Sequence, residues 1–350
     1  MAQRRFLALA LAALVWCPAA KAADSVSDPA TGLQDGVIFT EMTPLSRNAE
    51  LERRLWSPLK AAQLERDRAR AGQTLSAQPL GLFGERFVVY VPPVRPAGGY
   101  GVLVYIPTGK DTKLPPGWAP VLDLLGVIFV SAAQSGNDEN VYGRRIPLAL
   151  NAATNIVRLY NVDPQRVYVG GTSGGSRVTM RAALAYPDLF HGAMLNAGSD
   201  EIDNDYIPLP PRELLNQFQA STRLVYLTGD EDSVNLNKDA ASRGSMRDWC
   251  QFNLDTETLA RTGHGTTDGR GLARALKLLA TPPSPDAKKL GACRAQIEKD
   301  LTGQMAEIEA LKAAGKNADA RARLEKIDRR FGGLAGPRSL ELDAELTLAR

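Results

Sequence analysis

The run Arg166-Val167-Tyr168-Val169-Gly170-Gly171-Thr172-Ser173-Gly174-Gly175-Ser176-Arg177 constrains this chain more than any other stretch. Its first half is apolar, β-branched and aromatic, the composition of a buried strand. Its continuation, Val178 to Ala185, holds good helix formers and ends at Tyr186-Pro187. Between them, Gly171-Thr172-Ser173-Gly174-Gly175 matches G-x-S-x-G. A strand that turns this abruptly into a helix places the central Ser on a strained bend with its hydroxyl exposed. Glycines flank it because a side chain there would strike the neighbouring strand or helix. The free N–H groups of the helix N-terminus suit a developing negative charge.

The flanking sequence alternates strand and helix. Strands are expected over 86–91, 101–106, 127–130, 193–195, 224–227 and 253–259, and helices over 118–125, 146–160, 237–249 and 269–280. This alternation builds a mostly parallel sheet covered by helices on both faces, an α/β fold. Residues 24–48 read as an irregular lead-in, and 50–72 as a charged surface helix interrupted at Pro58. Order is expected from Glu85. Thr281-Pro282-Pro283-Ser284-Pro285 marks a boundary. Beyond it, Ile297, Leu301, Met305, Ile308 and Leu311 form one helical stripe, and Ala320, Leu324, Ile327 and Phe331 a second, with a turn at Gly315-Lys316-Asn317. The expected organisation is a signal peptide at 1–22, a lead-in at 23–84, an α/β domain at 85–283 and a helical C-terminal extension, a hairpin, at 284–350.

The first 22 residues have the layout of a secretory leader: Arg4 and Arg5, an apolar run from Phe6 to Cys17, then Ala20-Lys21-Ala22 as a small-x-small cleavage site. The run is too short for a lasting membrane span, so no membrane anchor is expected in the mature chain. The expected location is secreted or periplasmic. The whole sequence has a formal charge of +3, from 42 basic and 39 acidic residues. Arg4, Arg5 and Lys21 account for that excess. The mature chain is therefore balanced, and nothing in it points to nucleic acid or an anionic membrane as partner. Cys17 leaves with the leader. Cys250 and Cys293 remain, a pair suited to one disulfide in an oxidising compartment. Two histidines and two distant cysteines form no metal-ligand cluster, so no metal is expected.

A serine hydroxyl needs a base to take its proton, and the base needs an orienting acid. His191 and His264 are the two histidines of the chain. His264 directly follows the last expected strand, whereas His191 precedes the strand at 193–195. The loop before a parallel strand lies about 17 Å from the loop after it, too far for a hydrogen bond to Ser173. His264 is thus the expected base and His191 a structural residue. The acid should follow the strand at 224–227, where Gly229-Asp230-Glu231-Asp232 stands. Asp232 is the preferred acid and Asp230 the alternative. Ser173, Asp232 and His264 then occur in the chain order expected for such a fold.

The segment Asn161-Val162-Asp163-Pro164-Gln165-Arg166-Val167-Tyr168-Val169-Gly170-Gly171-Thr172-Ser173-Gly174-Gly175, with the later Ala185-Tyr186-Pro187-Asp188-Leu189-Phe190, resembles secreted esterases of the polyhydroxybutyrate-depolymerase and feruloyl-esterase kind. Over about 85–280 the chain resembles an α/β-hydrolase. The resemblance implies a Ser–His–Asp carboxylic ester hydrolase that needs no cofactor, with a small-molecule or oligomeric ester as substrate. Where that family has His-Gly after the strand at 101–106, this chain has Pro107-Thr108-Gly109. Gly109 N–H is the expected oxyanion donor beside Gly174 N–H. Gly265-Thr266-Thr267 replaces the Trp that follows the catalytic His in polymer-active members, which argues against polyhydroxybutyrate. The rival readings are a peptidase or acyltransferase with the same triad, or a non-catalytic binding protein on a hydrolase scaffold.

Overall fold

The computed structural model describes residues 30–204 and 206–348, and the expected leader at 1–22 lies outside them. Eight strands and eleven α-helices are described. In chain order they are β1 (Gly32–Val37), α1 (Asn48–Leu55), α2 (Pro58–Arg70), β2 (Phe87–Val91), β3 (Tyr100–Ile106), α3 (Ala119–Leu125), β4 (Val127–Ala132) and α4 (Ile146–Leu159). Then come β5 (Val162–Thr172), α5 (Gly174–Ala185), β6 (Gly192–Asn196), α6 (Arg212–Ser221), β7 (Arg223–Gly229), α7 (Ser233–Asp248), β8 (Leu254–Leu259) and α8 (Gly269–Leu279). The last three helices are α9 (Ala287–Ala313), α10 (Asn317–Phe331) and α11 (Gly336–Leu348).

The apolar runs make the central strands β3, β4, β6 and β7 because each is buried on both faces, where only continuous hydrophobic sequence suffices. Val102, Val104 and Ile106 of β3, Val167 and Val169 of β5, and Leu224 and Tyr226 of β7 enter one core with Val178 and Met180 of α5. The alternate residues Leu103, Tyr105, Tyr168, Val225 and Leu227 enter the other, with Leu122 of α3 and Leu272 and Leu276 of α8. The period of two is what divides the strands between two helical layers. Acidic N-caps start α8 and α9: Asp268 accepts from Gly271 N at 2.9 Å and Asp286 from Lys289 N at 3.0 Å.

The sheet order is β1-β2-β4-β3-β5-β6-β7-β8. Strands β3 to β8 run parallel, and β2 is antiparallel to both of its neighbours. This is the topology of the α/β-hydrolase fold. It places the ends of β5, β7 and β8 along one edge, where ligands of open α/β sheets bind.

One expectation for the N-terminal segment is corrected. Residues 32–37 are a strand rather than irregular, despite their polar, glycine-rich sequence. Gly32 pairs with Val91 and Leu33 with Tyr90, so the open edge of β2 imposes extension that propensity would not. The interruption expected at Pro58 is present: α1 ends at Leu55 and Pro58 opens α2, because a proline at the first helical position has no N–H to lose.

The tail is the expected hairpin, α9 and α10, followed by a third helix, α11. Both stripes face inward. Ala320, Leu324, Ile327 and Phe331 are fully buried, and Ile297, Leu301, Met305, Ile308 and Leu311 pack on the core that includes α5. Phe331 meets Trp249 edge-on with ring centroids 5.6 Å apart. A Cys250–Cys293 disulfide ties α9 to the end of α7.

Candidate active site

Ser173 ends β5 and starts α5 with φ 54° and ψ −119°, a conformation a residue with a Cβ adopts only under constraint. The constraint is contact with β3. A Cβ on Gly175 would lie 2.1 Å from Ile106 O, so only glycine permits the turn. Ser173 N–H donates to Asn196 O at 2.8 Å, fixing the bend against β6.

The structure brings Ser173, His264 and Asp232 together. Ser173 Oγ lies 2.9 Å from His264 Nε2, and His264 Nδ1 lies 2.7 Å from Asp232 Oδ2. Read as a relay, Ser173 O–H donates to Nε2 and Nδ1–H donates to the carboxylate. Asp232 is buried, while the His264 side chain is 49% exposed. Burial pushes the Asp232 carboxyl up, and hydrogen bonds from His264 and Asn235 outweigh it, so the group is held below the usual carboxylate value.

Asp230 sits elsewhere. It accepts from Thr262 N at 3.2 Å and staples the turn after β7 to the loop after β8. Backbone N–H groups of Arg261 and Thr262 keep its carboxyl low. His191 lies at the start of β6, its Nδ1 buried without a partner, and burial lowers its pKa. Its backbone N–H donates to Val167 O at 2.9 Å, six residues ahead of Ser173 along the chain.

Sequence reasoning missed two asparagines. Asn235, one turn into α7, donates through Nδ2 to both Asp232 oxygens at 2.9 and 2.8 Å. Its Nδ2 is also 3.0 Å from His264 Nδ1, where both nitrogens aim protons at the same carboxylate. Buried Asn196 accepts from Thr172 Oγ1 at 3.0 Å and Thr267 N at 2.8 Å, and donates to Leu227 O at 2.9 Å. It thereby ties the ends of β5 and β7 to the loop that carries His264. Trp118 Nε1 supports that loop by donating to Thr267 O at 3.0 Å. The available signal for Asn196 was a polar residue closing an apolar strand. For Asn235 it was position three after the acid, within reach of an N-cap side chain.

Gly174 N–H stands at the free N-terminus of α5. Facing it is a wall built by the loop after β3 and the turn at 134–137. Within this wall Gly109 packs against Gly136: a Cβ on Gly136 would be 2.7 Å from Gly109 C. Thr108 O accepts from Asn137 N at 2.9 Å. No described contact joins Gly109 N–H to Ser173.

No group of three or more His, Cys, Asp or Glu side chains suited to a metal occurs among the described residues. A groove of about 1350 Å³ between α1, α2, α9 and residues 333–340 does not include Ser173, Asp232 or His264. No described helix is long and apolar enough to cross a membrane.

No family model matches the sequence. An acetylxylan esterase of Coprinopsis cinerea is 32% identical over 85 residues, which are 24% of this chain. The match spans about one fifth of that relative's length, 21%. Among solved structures, an acetyl xylan esterase from Aspergillus awamori is similar at TM-score 0.43 and 16% identity, covering 56% of this chain and 94% of its own. An S-formylglutathione hydrolase from Staphylococcus aureus is similar at TM-score 0.44 and 11% identity, covering 56% of this chain and 93% of its own.

Proposed function

We propose that this protein is a secreted serine hydrolase that cleaves carboxylic esters through Ser173, His264 and Asp232. The observation that carries the reading is the unbroken contact from Asp232 through His264 to Ser173, assembled from three strand ends. In the acylation step, His264 Nε2 takes the Ser173 proton as Oγ bonds to the ester carbonyl carbon. The carbonyl oxygen becomes an oxyanion beside Gly174 N–H. Collapse breaks the ester C–O bond, and imidazolium Nε2–H protonates the leaving alcohol. Water then repeats the sequence on the acyl-enzyme, releasing the acid and free Ser173. Asp232 holds the tautomer and stabilises the imidazolium between steps.

An ester substrate is supported by the resemblance to secreted esterases and by the partial match to an acetylxylan esterase. A half-exposed His264 leaves room for a bulky alcohol portion, such as an oligomer bearing ester groups. Export is supported by the leader pattern at 1–22 and by the disulfide, which persists in oxidising compartments.

The test is labelling with a fluorophosphonate, read by intact mass and peptide mapping. A single adduct on Ser173, absent in Ser173→Ala and slowed at least a hundredfold in His264→Ala, is expected. A folded, disulfide-intact protein that takes no adduct overturns the reading.

A further inference from the structure

The loop after β3 departs from the His-Gly pattern of the esterases this chain resembles, and the reaction needs a second oxyanion donor besides Gly174 N–H. We propose, building on the esterase reading, that the carboxamide of Asn137 is this donor, with Arg145 as its positioning residue.

Asn137 reaches the place where the side chain of the residue after the nucleophile would stand. A Cβ on Gly174 would lie 2.2 Å from Asn137 Oδ1 and 3.0 Å from Nδ2. Glycine at 174 therefore makes room for this amide as well as for the turn. Oδ1 faces the Arg145 guanidinium, with Nη2 at 3.4 Å. That contact sets the amide orientation, because the flipped form would oppose N–H to N–H. The Nδ2 hydrogens are left without a protein acceptor among the described residues, beside Gly174.

The amide is held before substrate arrives. Arg145 is only 3% exposed and holds neutral oxygens: Ser135 O at 2.9 Å from Nε and Pro107 O at 2.8 Å from Nη2. No carboxylate among the described residues pairs with it, an arrangement that costs stability and calls for a reason. Burial pushes its pKa down to about 10, so it remains a cation at neutral pH. Its neighbour Arg144 grips the same turn through Gln134 O at 2.6 Å and is itself clamped by both oxygens of Glu85. Arg145 thus fixes the 134–137 turn to the loop after β3, and Arg144 fixes it to Glu85 ahead of β2. A positive charge behind Oδ1 polarises the carboxamide and strengthens Nδ2–H as a donor. Preorganised donors of this kind need no rearrangement when the oxyanion forms.

The Gly109 N–H is turned away by the same contacts. Thr108 O accepts from Asn137 N, and no cis peptide occurs among the described residues. In a trans peptide the Gly109 N–H points opposite to Thr108 O, away from the turn that carries Asn137.

The experiment uses p-nitrophenyl acetate hydrolysis, inhibition by phenylboronic acid, and fluorophosphonate labelling of Ser173. Asn137→Ala is expected to lower kcat about 10²–10³-fold with KM changed less than threefold. Phenylboronic acid should bind correspondingly more weakly, since its serine adduct carries the tetrahedral oxygen. Labelling of Ser173 should still reach completion, showing an assembled fold and triad. Gly174→Ala, which keeps the backbone N–H but displaces the amide, should share the loss of kcat. Arg145→Lys, which keeps the charge without the planar fork, should lower kcat and boronic acid affinity while leaving KM unchanged. An Asn137→Ala protein within threefold of wild-type kcat overturns the inference and leaves the esterase reading standing. A wild type that neither hydrolyses the ester nor labels removes both.

Discussion

At the scale of single residues, the candidate site depends on two carboxylates placed two residues apart in opposite roles. Asp232 faces inward to His264, while Asp230 faces outward and holds a turn. Asp232→Asn keeps the size of the side chain but offers Nδ1 the wrong partner, and kcat should fall about 10⁴-fold. Asp230→Ala should leave kcat within about threefold; a larger loss would reassign the acid. The low carboxyl pKa of Asp232 also carries a sign for stability. A group whose pKa is depressed by folding contributes stability above its unfolded value, ordinarily 3.8, and loses it as pH falls through the folded value. The stability difference between wild type and Asp232→Asn should therefore narrow as pH drops from 5 toward 2. Urea unfolding at stepped pH measures it, and a gap constant over that range would show that folding does not hold the carboxylate ionised. Ser173, His264 and the pair of acids were legible in the sequence because they adjoin strand ends that hydrophobic runs reveal. Asn196, Asn235 and Asn137 were not, because each acts through partners at least three residues and usually tens of residues away.

At the scale of elements, the contrast is between β1 and the tail helices. The stripes of α9 and α10 were legible because a helix writes its buried face into its own sequence. The strand at Gly32–Val37 has no such signature, since the partner edge creates it. The tail helices also hold the N-terminal helices in place. Asp328 of α10 accepts from Ser57 Oγ and from Leu59 N at 3.1 Å, at the junction of α1 and α2. Burial raises the Asp328 carboxyl pKa, and the hydrogen bonds from Ser57 and Leu59 oppose that rise. Asp328→Ala removes the acceptor of the half-buried Leu59 N–H and of Ser57 Oγ, and should destabilise the protein by about 1–2 kcal/mol in thermal or urea unfolding. No change in stability would mean that this junction frays independently of the tail.

At the scale of the molecule, residues from Thr31 onward form one compact unit, so the tail belongs to the same body as the sheet. The disulfide reinforces this by closing a loop with a sequence separation of 43. On chain-entropy grounds it contributes up to about 4 kcal/mol. Cys250→Ala/Cys293→Ala should unfold in guanidinium at a lower midpoint than wild type while still labelling at Ser173 when folded. An unchanged midpoint would place the whole cost of opening the loop in the native state rather than the unfolded one. Local and periodic information by itself determined the alternation of strands and helices, the strained serine, the order of Ser, Asp and His, and the two tail stripes. These are properties of spacing along the chain, and short-range sterics and side-chain burial translate spacing directly into shape. Tertiary structure alone decided the pairing of β1, the choice of Asp232 over Asp230 as the contact of His264, and the wall of Asn137 and Arg145 facing Gly174. Those outcomes depend on which distant segments meet, and that follows from closing the sheet and packing its two faces, where a hydrogen bond's direction is fixed only once both partners are in place.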